Sequence, residues 1–149
     1  GVQTSTASFA GNRYFGLTAS RSIQKYNLNT SKDNILSFWA KGTNSISITG
    51  GGSISPTGVW KYYQIPISNR TNLTISSSGA DIDEVRIHPK TSLMQTFNYD
   101  VLNGLLSENP QNGMPTRYEY DLFGRLKLIR DHKGDVRKVL EYYYQQSIN

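Results

Sequence analysis

Short apolar runs recur through residues 1–90, at 14–18, 23–28, 35–40, 46–49, 59–67, 73–76 and 82–87. Two of them alternate strictly: Ile46-Ser47-Ile48, and Val59, Lys61, Tyr63, Ile65 and Ile67 against Trp60, Tyr62 and Gln64. A period of two is the mark of a strand with one face buried. No segment sustains helical spacing. Turn-forming residues separate the runs at Asp33-Asn34, Gly50-Gly51-Gly52, Ser55-Pro56-Thr57-Gly58, Ser68-Asn69 and Ser78-Gly79. Short strands joined by polar turns predict two packed antiparallel sheets, an all-β sandwich. Pro66 has no N–H to give to a ladder, which predicts an edge strand or a bulge.

Residues 91–149 carry a different pattern. Phe97-Asn98-Tyr99-Asp100 returns as Tyr118-Glu119-Tyr120-Asp121, 21 residues later. The first copy continues with Gly104-Leu105-Leu106 and the second with Gly124-Arg125-Leu126. Turns follow at Asn112-Gly113 and Lys133-Gly134, and a third aromatic strand is expected to begin at Tyr142-Tyr143-Tyr144. Such a period predicts stacked hairpins with aromatics on one face and glycines supplying positive φ in the turns. Asp121, Arg125 and Asp131 are expected to be architectural, the arginine pairing with an aspartate and the aspartates holding turn amides. A polymer-contact role is the alternative.

Both segments resemble known families. Ile35-Leu36-Ser37-Phe38-Trp39-Ala40-Lys41-Gly42, then Trp60-Lys61-Tyr62-Tyr63, then Ile82-Asp83-Glu84-Val85-Arg86-Ile87 resemble, in order, the strands of carbohydrate-binding-module-like jelly rolls. The resemblance covers residues 9–88, and the N-terminal Asn-Gly-Asp-Phe-Glu strand common in such modules has no counterpart. It implies a jelly-roll-like antiparallel β-sandwich with a carbohydrate partner, and a structural calcium beside the closing strand with Asp83 as ligand. Tyr118, Tyr120, Asp121, Gly124, Arg125 and Leu126, followed by Asp131 and Gly134, resemble the signature of Rhs/YD-repeat proteins. That resemblance implies YD-repeat β-hairpins from the C-terminal region of a large secreted or cell-surface bacterial protein, whose remainder is the partner. Two and a half copies enclose nothing, so the hairpins must pack on the sandwich, on each other or on another chain.

Charge and composition divide the chain at the same place, giving domains 1–90 and 91–149. Residues 1–90 hold 9 Lys/Arg and 4 Asp/Glu, and residues 91–149 hold 7 of each. Ser, Thr and Asn make up 30 of the first 90 residues. The cations Arg13, Arg21, Lys25, Lys32, Lys41, Lys61 and Arg70 form no run, which reads as a solvated basic surface and not a nucleic-acid site. Cysteine is absent, which excludes disulfides and thiolate metal sites. No run approaches the roughly 20 apolar residues of a helical membrane span. Gly1 opens into a polar Thr/Ser stretch, as in a piece excised from a longer protein.

Candidate chemistry is confined to a few side chains. Trp39, Trp60, Tyr62, Tyr63 and Tyr14 are candidate sugar platforms, because a pyranose packs its C–H face on a ring while flanking polar groups bond its hydroxyls. The alternative is burial: Trp39 lies between Phe38 and Ala40 in the most apolar run. Tyr62 and Tyr63 must face opposite ways. Asp81, Asp83 and Glu84 form the one carboxylate cluster, a calcium candidate that also reads as a solvated turn. His88 and His132 fall in different segments without metal-ligand spacing, no serine sits in a Gly-x-Ser-x-Gly elbow, and Gly50–52 lacks the Gly-Lys-Ser/Thr ending of a phosphate loop. Enzymatic activity is therefore not expected. The expectation is a non-catalytic carbohydrate-binding-like or scaffolding module, or alternatively a ligand-free structural cap or plug of a repeat shell. An adhesin that binds glycan or matrix ranks third.

Overall fold

A computed structural model describes residues 2–4, 8–10, 13–29 and 31–143, and among them every regular element is a strand. The chain divides into two units, Gly1–Met94 and Gln95–Asn149. No helix is long and apolar enough to cross a membrane.

The first unit holds β1 (Val2–Thr4), β2 (Arg13–Thr18), β3 (Ser22–Lys25), β4 (Asn34–Gly42), β5 (Ile46–Ile48), β6 (Gly52–Ile54), β7 (Lys61–Ile67), β8 (Leu73–Ser76) and β9 (Gly79–Pro89). They form a five-stranded sheet, β1-β2-β9-β4-β7, and a four-stranded sheet, β3-β8-β5-β6. Every pairing is antiparallel. Alternation explains the packing. In β4, Leu36, Phe38 and Ala40 are fully buried, and they meet Ile46 and Ile48 of β5 and Leu73 and Ile75 of β8 in one core. Each such large aliphatic or aromatic side chain contributes roughly 1.5–3 kcal/mol by leaving water. The unit is an all-β sandwich.

Most predicted runs are strands here, with instructive departures. The run at 59–67 starts as a strand only at Lys61, and Val59 is exposed in the preceding loop. β7 is a sheet edge, as Pro66 predicts. β1 was not expected: three residues are too few for alternation to register, and their ladder to Phe15, Tyr14 and Arg13 is what defines them. Thr49, Gly50 and Gly51 make the β5–β6 hairpin turn and Gly52 opens β6, with the Gly51 N–H donating to the Ile48 carbonyl at 3.0 Å.

The second unit is one antiparallel meander: β10 (Thr96–Asp100), β11 (Gly104–Asn109), β12 (Thr116–Tyr120), β13 (Leu126–Arg130) and β14 (Val136–Val139). Its turns repeat one device. In the β12–β13 turn the Asp121 N–H donates to the Arg125 carbonyl and the Gly124 N–H to the Asp121 carbonyl; the β13–β14 turn repeats both bonds between Asp131, Asp135 and Gly134. Gly124 and Gly134 lie at φ +74 and +91, beside ladder shifts at Glu119/Tyr120 and Ile129/Arg130. This is a tight turn closed by a glycine bulge. Among the described residues the last strand is Val136–Val139, and Tyr142 and Tyr143 belong to none. Pairing continues past it through Leu140 N–H to Lys127 O at 2.9 Å, while Tyr144 lies outside the described residues.

Candidate functional site

The outer face of the five-stranded sheet gathers the candidates of the first unit. Trp39 of β4 pairs across strands with Tyr62 of β7 and with Asp83 of β9, so all three side chains share that face. Tyr14 of β2 has the same parity as Gly16, the partner of Asp81. Trp60 stands just ahead of β7. Tyr63 points the other way, against Phe38 at 5.9 Å, and burial raises its pKa.

A bulge in β9 widens this face. The β4–β9 register shifts between Ser37 and Trp39, and Glu84 adopts φ +53 there. Without the extra residue Asp83 and Arg86 would point to opposite sides. With it, both point outward, and the buried Arg86 guanidinium donates to the Tyr62 hydroxyl at 3.3 Å and lies 6.0 Å from its ring centre.

The aromatic rings are partly spoken for. Phe9 stacks on Trp39 with ring centres 3.5 Å apart and an 18° tilt, and it also approaches Trp60 at 6.3 Å. Asp83 holds this segment down: one carboxylate oxygen accepts the Phe9 and Ala10 N–H groups at 3.0 and 2.9 Å, and the other accepts Glu84 N–H at 2.8 Å. For Trp39 and Asp83 the structure shows contacts within the chain. Trp39 is a stacking partner for the chain's own phenylalanine and not a bare platform. Asp83 accepts three amide donors, two on one oxygen and one on the other; among the described residues no three acidic or histidine side chains are grouped to hold a metal. Burial pushes the Asp83 carboxyl up to about 6, against the pull of those amides.

What stays accessible lies toward Tyr14 and Trp60, whose rings meet edge-on at 6.1 Å. The Lys41 ammonium sits over both, 5.2 Å from the Tyr14 centre and 4.8 Å from that of Trp60, and it pairs with Asp81 at 3.6 Å. Tyr14, Lys41, Asp81 and Arg21 line a cleft of about 320 Å³ in which Gly16 keeps the floor low. Sequence reasoning named Tyr14, Trp60 and Asp81 but missed the roles of Phe9, Lys41 and Arg86. The alternation of Trp39 with Lys41 was a usable signal for the lysine; no signal marked Phe9.

In the second unit the motif residues serve the turns. Asp121 accepts N–H from Phe123 and Arg125 at 2.8 and 3.0 Å and pairs with the Arg125 guanidinium at 2.7 Å. Asp131 accepts N–H from Lys133 and Asp135 at 2.9 and 3.0 Å and pairs with Arg137 at 2.8 Å. The Tyr120 hydroxyl donates to the Leu105 carbonyl at 2.7 Å, and Tyr142 repeats this one copy later on Leu126 at 2.8 Å. Tyr118 donates to Glu108, and burial with that bond pushes its pKa to about 12. Compared with known proteins, the chain matches no protein-family model and no curated relative.

Proposed function

We propose that the first unit is a non-catalytic module that binds carbohydrate on the outer face of its five-stranded sheet, within a large secreted or cell-surface bacterial repeat protein to which the second unit belongs as a repeat segment. The observation that supports this most is the Lys41 ammonium set over the Tyr14 and Trp60 rings beside the cleft that holds Asp81. Rings of this kind accept the C–H face of a sugar, and an ammonium with a carboxylate can donate to and accept from its hydroxyls. The reading is non-catalytic because glycoside hydrolysis needs two carboxyls across a cleft, whereas Asp81 is tied to Lys41 and Asp83 to three amides.

The test is a glycan array with the purified chain and its Trp60→Ala variant, both checked for an unchanged melting profile. Binding by the parent that the variant loses supports the reading. A second reading, a ligand-free scaffold or cap, draws on the Phe9 ring that already covers Trp39. Silence of the parent across the whole array favours that alternative.

A further inference from the structure

A second cleft, of about 430 Å³, lies on the four-stranded sheet side of the same unit. Both clefts fall within the volume range of roughly 300–1,000 Å³ usual for ligand sites. Its lining is chemically uniform: apart from Ala19 and Arg21, every side chain is a serine or threonine, and no carboxylate is present. Cross-strand pairing sets part of that array, since Ser22 and Ser47 both pair with Ser76. These three stand in a row across the outer surface at the strand spacing of about 4.8 Å.

Thr18 and Arg21 line both clefts. They are the two ends of the tight β2–β3 connection, where each donates its N–H to the other's carbonyl, at 3.3 and 3.0 Å. The corner at which the chain passes from one sheet to the other is therefore also where the two clefts adjoin. Arg21 is exposed there, and among the described residues its guanidinium makes no ion pair. The one acidic side chain lining the adjoining cleft, Asp81, is engaged by Lys41.

From this juxtaposition we infer that the two clefts form one track for an acidic polysaccharide, with Arg21 at the corner receiving a carboxylate or sulfate and the serine-lined cleft receiving the next residues of the polymer. A guanidinium offers a forked pair of donors to such a group. Hydroxyls both donate and accept, which suits the alternating needs of a charged, hydroxylated chain. The formal charge of +5 on the whole protein, all of it arising in residues 1–90, favours a polyanion over a neutral polymer. A nucleic acid would use the same charge, but it would want stacking rings along the track, and the second cleft offers none. The inference rests on the carbohydrate reading for the class of ligand and adds its charge and its path.

The experiment is a titration of the whole chain with uronate- and sulfate-bearing oligosaccharides, each beside its methyl-esterified or desulfated form, at low and high salt. The expected result is a preference of about tenfold or more for the acidic member of a pair, weakened by salt. Arg21→Gln is expected to erase that preference, bringing the acidic member's affinity down to that of its neutral partner, and Trp60→Ala to weaken both. Equal binding of acidic and neutral members overturns the track and leaves the carbohydrate reading standing. So does a preference that survives Arg21→Gln. Absence of binding to every sugar sinks both, and a single-stranded oligonucleotide bound as tightly as the acidic sugars replaces the polysaccharide with a nucleic acid.

Discussion

Asp83 does three things that pull against each other. It lies under the Phe9–Ala10 segment, accepts that segment's amides, and sits far enough from water for its carboxyl to hold a proton up to about pH 6. The unfolded carboxyl titrates near 3.8, so the folded unit binds the proton more tightly. Stability from that proton is complete below about pH 4 and is lost as the pH rises through about 6, a difference of roughly 2–3 kcal/mol. Trp39 and Trp60 both belong to the first unit, so tryptophan fluorescence reports its unfolding alone. The expected outcome is a midpoint that falls between pH 4 and 6.5 in the parent chain and stays level in Asp83→Asn; equal slopes in the two would remove Asp83 from the account. At this scale alternation was a good guide. It sent Tyr62 and Tyr63 to opposite faces, as the structure has them. It said nothing of Phe9, whose position depends on a bond to a residue 74 places away.

Two backbone devices shape the elements, and both depend on positive φ. In β9 the extra residue at Glu84 turns Arg86 to the same side as Asp83, and in the meander Gly124 and Gly134 let a tight turn re-enter its ladder. The first device uses a residue that disfavours the conformation, the second uses the one that tolerates it. Nothing lies within 4 Å of where a Gly124 Cβ would stand, so Gly124→Ala tests the backbone alone. It should lower the stability of the meander by about 1 kcal/mol in a urea titration. Glu84→Gly, at a like φ, should relieve the backbone and cost the sandwich less than Gly124→Ala costs the meander by the same measurement; a loss as large as that at Gly124 would mean that the glutamate side chain, not the backbone, holds the bulge. The Asp-x-x-Gly turns were legible because a capping carboxylate, a glycine and their spacing all lie within five consecutive residues. The bulge was not, because a period-two reading carries no mark of the place where the partner strand skips a residue.

Across the whole molecule the two units answer acid in opposite ways. Asp121 is held below the usual carboxylate range by the Arg125 side chain and turn amides, and Asp100 by the amides of Asn103 and Leu102. Asp131 is lowered too: partial burial works against it, but the amides of Asp135 and Lys133 and the Arg137 charge prevail. These groups stabilise the meander above about pH 3.8, and that stability is lost as the pH falls through their lower folded values. Acidification from pH 7 to pH 3 should therefore separate the unfolding seen by far-ultraviolet circular dichroism, which includes the meander, from that seen by tryptophan fluorescence. Coincident transitions at pH 3 would overturn the opposition. By itself the sequence determined that the fold is all-β, where most strands run, which face is apolar in the two runs that alternate strictly, and which residues build the turns of the meander. All of these are carried by residues next to one another, through alternation and turn chemistry. Only the tertiary structure decided that Phe9 lies on Trp39, that Lys41 bridges Tyr14 and Trp60, and that two clefts meet at Arg21. Strand order and register set these meetings, and both are chosen by burial summed over the whole sandwich, which no local stretch of sequence records.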